Sequence, residues 1–315
     1  MKRVSLTLMI AVLVSSGCSG LGSGSPDFVE RQPSQVSTVP SPFYELTGVD
    51  AHGAPMWMDT TALQYNDVRI PTPFGTLRTM RNLVVARSPH KQIRWRRRFP
   101  DCTLGPIEPM ADGGTAIGCG GTVTVLDAAG NDRWTANVDR YRIDGLATGT
   151  DGSVYAWGQR TDASGLPNSD NASLVASFDP RGELRWKGRI NDLAGIDYDT
   201  GPDSDVEVSA ASVGRDGTLY VGTTSHLTAI SPQGAKTWQW HTHVFADIML
   251  ILIGRGGTVY AVGGDWGGPG LVLAFGEDGR HRWRADTDSI LSDGLIGPDG
   301  SIYASDGDKL YRFAA

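Results

Sequence analysis

An all-β fold, a single β-propeller of four-stranded antiparallel blades, is predicted by three features of this 315-residue chain. First, six tryptophans (Trp57, Trp95, Trp134, Trp186, Trp238 and Trp283) each stand seven residues after a turn opener, namely Asp50, Ser88, Asp127, Asp179, Ser231 and Gly276. A glycine lies three residues after the opener in five copies (Gly53, Gly130, Gly182, Gly234 and Gly279), and Lys91 holds that place in the second. Second, glycine with Thr or Ser opens a short apolar run after each tryptophan, as in DGSVY (151–155), DGTLY (216–220), GGTVY (256–260) and DGSIY (299–303). Third, runs such as TVTVL (122–126), LVASF (174–178) and LVLAF (271–275) sit between Gly, Asp and Pro boundaries and read as strands, while no sustained helical period follows residue 20.

Each copy supplies four strands: an inner one before the Gly-Thr/Ser turn, one after it, one ending at the opener and one carrying the tryptophan. Both explicit hairpins place glycine where a positive φ is needed. Repetition of such a unit every ~40 residues is the pattern of propeller blades. A single blade cannot bury both faces, so neighbours must stack, and the tryptophans read as the packing between blades, not as a ligand site.

From the N-terminus, residues 1–17 read as a signal peptide. Lys2 and Arg3 form its basic region, and 4–14 is an apolar stretch too short for a permanent span. SSGC (15–18) resembles a bacterial lipobox, although Ser15 replaces the usual Leu. That likeness implies that Cys18 becomes the lipidated N-terminus, with palmitate among its acyl chains. The absence of Asp after Cys18 implies the outer membrane. Residues 18–42, rich in Gly, Ser and Pro, are expected to be a flexible tether. The propeller occupies 43–315. The last blade has strands at 290–304 and 309–313, and PMWMD (55–59) is expected to complete it, closing the ring through N- and C-terminal strands. Six blades result, or seven if FYELTGV (43–49) founds a partial one.

The copies LDAAGNDRW (126–134), FDPRGELRW (178–186) and FGEDGRHRW (275–283) resemble the pyrroloquinoline-quinone (PQQ)-like propeller repeats, over nearly the whole mature chain. Ser88, Ser231 and Gly276 depart from the family's Asp, and the blade count falls short of the eight usual in quinoprotein dehydrogenases. The sialidase Asp-box is tighter than the Asp-x-x-Gly-x-x-x-Trp spacing seen here. Anchor and repeat together resemble the lipoprotein propeller of outer-membrane β-barrel assembly. This likeness implies a monomeric, non-catalytic scaffold for other envelope proteins. The alternative is a periplasmic enzyme or small-ligand (sugar or quinone) binder using the central funnel.

The distance from each tryptophan to the next signature glycine is 18, 19, 18, 31, 19 and 17 residues. Three insertions (158–172, 191–205 and 263–270) follow second strands or join blades, so all should emerge on one face. Candidate binding residues there are Tyr198, Asp197, Asp199, Asp203, Asp205, Asp265 and Trp266. The alternating aspartates suggest Ca²⁺ ligation, but their order does not match an EF-hand and a solvated acidic loop is the stronger reading. His241 and His243 share a strand face without an evident third ligand, so no metal site is expected. Cys102 and Cys119 flank one hairpin and are either a disulfide or two buried thiols.

The net charge of −7 argues against nucleic acid as a partner. KQIRWRRRF (91–99) is the exception, read as charge protection of a sheet edge or as a basic docking strip. No GxSxG, HExxH or phosphate loop occurs, and the vicinal cysteines of PQQ dehydrogenases are absent. The chain is therefore expected not to be an enzyme and to carry no PQQ or other cofactor.

Overall fold

The computed structural model describes residues 30–38, 44–49, 55–59, 69–72, 75–80, 82–100, 102, 104–138, 140–161, 173–196, 206–241, 247–265 and 267–314. In chain order the first strands are β1 (Gln35–Thr38), β2 (Tyr44–Val49) and β3 (Pro55–Asp59). Blade 1 is β4 (Arg69–Thr72), β5 (Gly75–Met80), β6 (Leu83–Arg87) and β7 (Ile93–Arg98); blade 2 is β8 (Leu104–Pro109), β9 (Thr115–Cys119), β10 (Thr122–Leu126) and β11 (Asp132–Asn137). Blade 3 is β12 (Tyr141–Thr148), β13 (Val154–Arg160), β14 (Leu174–Phe178) and β15 (Leu184–Arg189); blade 4 is β16 (Ala210–Val213), β17 (Leu219–Gly222), β18 (His226–Ile230) and β19 (Lys236–His241). Blade 5 is β20 (Asp247–Ile253), β21 (Val259–Gly264), β22 (Gly270–Phe275) and β23 (His281–Thr287). Blade 6 is β24 (Asp293–Ile296), β25 (Ile302–Ser305), β26 (Lys309–Phe313) and, outermost, β1. The first strands of blades 2 to 6 touch in sequence, β8 to β12, β12 to β16, β16 to β20 and β20 to β24, and β24 in turn touches β2.

The ring closes, as expected, through pairing of an N-terminal with the C-terminal strand, but the N-terminal strand is a different one. Gln35–Thr38, inside the stretch read as tether, pairs with β26 in the register Gln35↔Arg312 to Thr38↔Lys309. PMWMD (55–59) pairs with β2, not with blade 6, and these two strands form a separate two-stranded sheet. The reason lies in the chain's own grammar. The strand before an opener and the strand with the tryptophan are joined by a short hairpin, and closing a short loop costs less entropy than pairing across the whole chain. The outermost place in blade 6 is then free for a polar strand, which the Arg31 guanidinium and the Ser34 hydroxyl anchor by donating to Ala314 O and Arg312 O.

The core is distributed among the blade interfaces. Residues alternate along the second and third strands, so among the described residues each of blades 2 to 5 feeds two clusters. Val154 and Ala156 join blade 2 residues such as Val123 and Val125, while Tyr155 and Val175 join Leu219 and Val221 of blade 4. The tryptophan spacing now has a geometric cause. The indole of Trp134 lies on Gly182 of the next blade, where an added Cβ would stand 2.5 Å from the ring at φ +83°. Trp95 docks on Gly130, Trp186 on Gly234 and Trp238 on Gly279 in the same way. The indole N–H groups of Trp186 and Trp238 donate to Pro232 O and Glu277 O of the following blade at 2.9 and 2.8 Å. In blades 3, 4 and 5 the ring also meets the second-strand tyrosine of its own blade, as Tyr155–Trp186, Tyr220–Trp238 and Tyr260–Trp283. Trp57 sits on β3.

One helix interrupts the all-strand pattern. Ile190–Ala194 (α1) opens the blade 3 to blade 4 crossing with Ile190 and Ala194 buried, ends on left-handed Gly195, and receives the Lys236 ammonium on Ala194 O at 2.6 Å. Five residues are too few for a periodic signal. The basic strand β7 is the outer edge of blade 1. Its Arg97 pairs with Asp132 at 2.6 Å and Arg94 donates to Ala128 O at 2.8 Å, tying the edge to blade 2.

Candidate functional site

Arg142, Asp144, Gln159 and Glu207 form a polar network at the end of the inner strands from which the long connections leave. Arg142 and Asp144 stand near the start of the inner strand β12, where a bulge between Ile143 and Gly145 turns the chain. Arg142 Nε donates to Asp144 Oδ1 at 2.7 Å, and the Gln159 backbone N–H donates to Asp144 Oδ2 at 3.0 Å. The Gln159 amide N–H reaches Glu207, just ahead of blade 4, so the network bridges two blades. Beside it lies a cleft of about 490 Å³ lined by Leu104, Pro106, Arg142, Ile143, Asp144 and the Cys102–Cys119 disulfide. The disulfide ties Cys102, just ahead of β8, to Cys119 at the end of β9, with a Cα–Cα distance of 5.6 Å, beside the Leu104↔Cys119 pairing. It closes a loop of 17 residues. A Cys102→Ser/Cys119→Ser variant is therefore expected to lose about 2–3 kcal/mol, read by urea unfolding; equal midpoints would show that the bridge adds nothing.

Deeper on β8 lies Glu108. It pairs with Ala116, and directly opposed side chains share a face, so it looks toward blade 3 where Ala116 packs. Neither hydrogen bond nor ion pair satisfies its carboxyl among the described residues, and desolvation by the surrounding protein raises its pKa from 4.5 to about 7. Sequence reading missed this residue; its only signal is a carboxylate inside an otherwise apolar inner strand, LGPIEP.

His241 meets His226 across the β18–β19 pair, with ring centroids 4.5 Å apart. Burial first, then the charges of His241 and Lys236, lower the His226 pKa to about 4. His243 lies outside the described residues, as do Cys18, Tyr198, Asp197, Asp199, Asp203, Asp205 and Trp266. Asp265 is exposed on the insertion face and opens the β21–β22 turn, its carbonyl accepting from Gly268 N–H at 2.9 Å. Among the described residues no three metal-ligating side chains converge, and no helix is long and apolar enough to cross a membrane.

No family model matches the sequence, and no curated protein does. Solved structures do. A streptogramin B lyase aligns with a TM-score of 0.61 at 13% identity, covering 88% of this chain and 96% of that one. A virginiamycin B lyase from Staphylococcus aureus, a catalytically inactive variant with quinupristin, aligns at 0.60 and 10% identity over 89% and 99%. BBS1N in complex with ARL6DN aligns at 0.55 and 12% identity over 75% and 73%. The expectation that this chain is not an enzyme is corrected by the lyases, which carry the same architecture over nearly their whole length. The absence of linear motifs excludes no activity on a propeller, because side chains from separate blades can converge at the mouth without a sequence signature. At these identities the likeness is one of fold: the chain is a β-propeller.

Proposed function

We propose that this chain is a PQQ-like propeller of the bacterial envelope, anchored to the outer membrane by acyl chains on Cys18, that recruits another envelope protein through its insertion face. The supporting observation is the one-sided placement of the long connections. The strand ends that these connections join, Arg160 and Leu174, Arg189 and Ala210, and Gly264 and Gly270, lie at the end of the blades that also carries the Arg142–Glu207 network. On the opposite face the turns are minimal, as in the Asp179, Ser231 and Gly276 hairpins, each closed by a hydrogen bond from the residue three ahead. Long connections on a rigid scaffold are where recognition is built. BBS1N with ARL6DN is a propeller-like structure found in a protein complex, which supports partner binding in general terms.

Affinity purification from solubilised membranes tests this reading. Replacing 263–270 by a two-residue turn should remove a co-purifying partner while leaving the melting temperature within a few degrees; retention of the partner would refute it. Palmitate labelling should be lost in Cys18→Ser, and equal labelling would refute the anchor.

Glu108 favours a second reading, a small-ligand or catalytic channel. A carboxyl with pKa near 7 can exchange a proton at neutral pH. A ligand that raises the melting temperature of the wild type but not of Glu108→Gln would support it.

A further inference from the structure

On the minimal-turn face a repeated motif is broken in one blade. The turn between first and second strands is capped by an aspartate in four blades. Gly114, Ser153, Thr218 and Ser301 donate their N–H groups to Asp112, Asp151, Asp216 and Asp299 at 2.9, 3.0, 3.0 and 3.0 Å. In three of these an arginine of the same blade holds the carboxylate: Arg133–Asp112 at 2.6 Å, Arg185–Asp151 at 3.7 Å and Arg312–Asp299 at 2.7 Å. Blade 5 reads Arg255-Gly256-Gly257-Thr258 at this turn, so Gly256 stands in the place of the aspartate. Arg282 is nevertheless kept immediately before Trp283, the position of Arg133 before Trp134 and of Arg185 before Trp186. It donates to the Thr258 hydroxyl, and among the described residues no carboxylate replaces the missing one.

Arg282 and Arg255 line a cleft of about 530 Å³ between blades 5 and 6, together with Arg31, Tyr260, Trp283 and Asp299. Arg255 is exposed on the cleft rim. The Arg31 guanidinium lies 5.0 Å from the Trp283 ring centroid. Asp299, the cleft's own carboxylate, is already committed to Arg312, whose hydrogen bond holds its pKa down to about 2. Glu277 packs against Gly257 and lines no wall of the cleft. The cleft thus presents the guanidiniums of Arg282 and Arg255 beside one neutralised acid, with Arg31 engaged by Ala314 O and the Trp283 ring. Guanidinium forks match carboxylates in geometry as well as charge.

We propose that this cleft binds a carboxylate supplied from outside the chain, seated where the absent aspartate would lie, with Arg282 as the principal contact and Arg255 as the second. The site is on the face opposite the long connections and is independent of the reading above. The ligand is either a small polycarboxylate or an acidic side chain of a protein.

Two probes separate these sources: citrate, and an acetylated (Asp-Glu)₃ amide peptide, each titrated calorimetrically at constant ionic strength into the full-length mature protein. Gly256→Asp is the informative variant. A Cβ at Gly256 meets nothing within 4 Å and its φ is not left-handed, so aspartate fits there as in the other blades. It should pair with Arg282 in cis, raise the melting temperature by about 2 °C, and weaken binding by about tenfold or more. Arg282→Gln should weaken binding equally without the rise in melting temperature. Saturable binding of either probe, lost in both variants, supports the site, and the tighter probe identifies the source. Failure of both probes to saturate the wild type, or binding that survives either substitution, overturns it.

Discussion

Trp95→Ala is expected to lower the unfolding free energy by about 3–5 kcal/mol. Trp95 is 8% exposed and its ring rests on Gly130 of the next blade. With Leu77, Val84, Ala86, Ile107, Ile117 and Leu126 it forms the buried cluster between blades 1 and 2. The surrounding blades are fixed by their other neighbours, so the void cannot collapse fully and the cavity cost adds to the lost burial. Leu184→Ser, at a position 49% exposed on an outer strand, serves as control and should change stability by less than about 0.5 kcal/mol. Differential scanning calorimetry separates the two. A Trp95→Ala protein that melts with the control would show that the tryptophan spacing does not report blade docking.

Glu108→Gln should flatten the dependence of stability on pH. The folded-state pKa of about 7 lies above the ordinary 4.5, so between these values the folded chain keeps a proton that the unfolded chain has released. The stability due to this group is complete below pH 4.5 and is lost as pH rises through 7, a total of about 3 kcal/mol. Glutamine keeps the shape and stays neutral. At pH 8 the variant should exceed the wild type by up to about 3 kcal/mol, while at pH 4.5 the two should nearly agree. Urea unfolding at both values gives the difference directly, and shared titrations elsewhere cancel. A wild type that gains on the variant as pH rises would mean that Glu108 is charged and paired in the folded state.

What the sequence made legible follows from contact geometry. Trp95, Trp134, Trp186 and Trp238 each meet a glycine of the next blade at a fixed offset, and Tyr155, Tyr220 and Tyr260 each meet the tryptophan of their own blade, so the spacing survives in the linear chain. Gln35–Thr38 carries no tryptophan and no opener; its pairing with β26 is made by backbone groups, which any polar segment could supply. The site is less legible for a related reason. Arg142, Gln159 and Glu207 come together from three strand ends, and His226 meets His241 only through the hairpin register. The broken motif at Gly256 shows only when the blades are compared turn by turn, because its meaning lies in the arginine left behind.

Site-specific photo-crosslinking in intact cells tests most directly whether the insertion face is the working surface. A photoreactive residue at Asp265, exposed on that face, should yield a protein adduct of defined mass. The same residue at Arg181 or Gln233, exposed on the opposite turns of blades 3 and 4 and away from the blade 5–6 cleft, should yield none. Adducts from Arg181 and Gln233 alone, or equally from all three positions, would contradict the assignment.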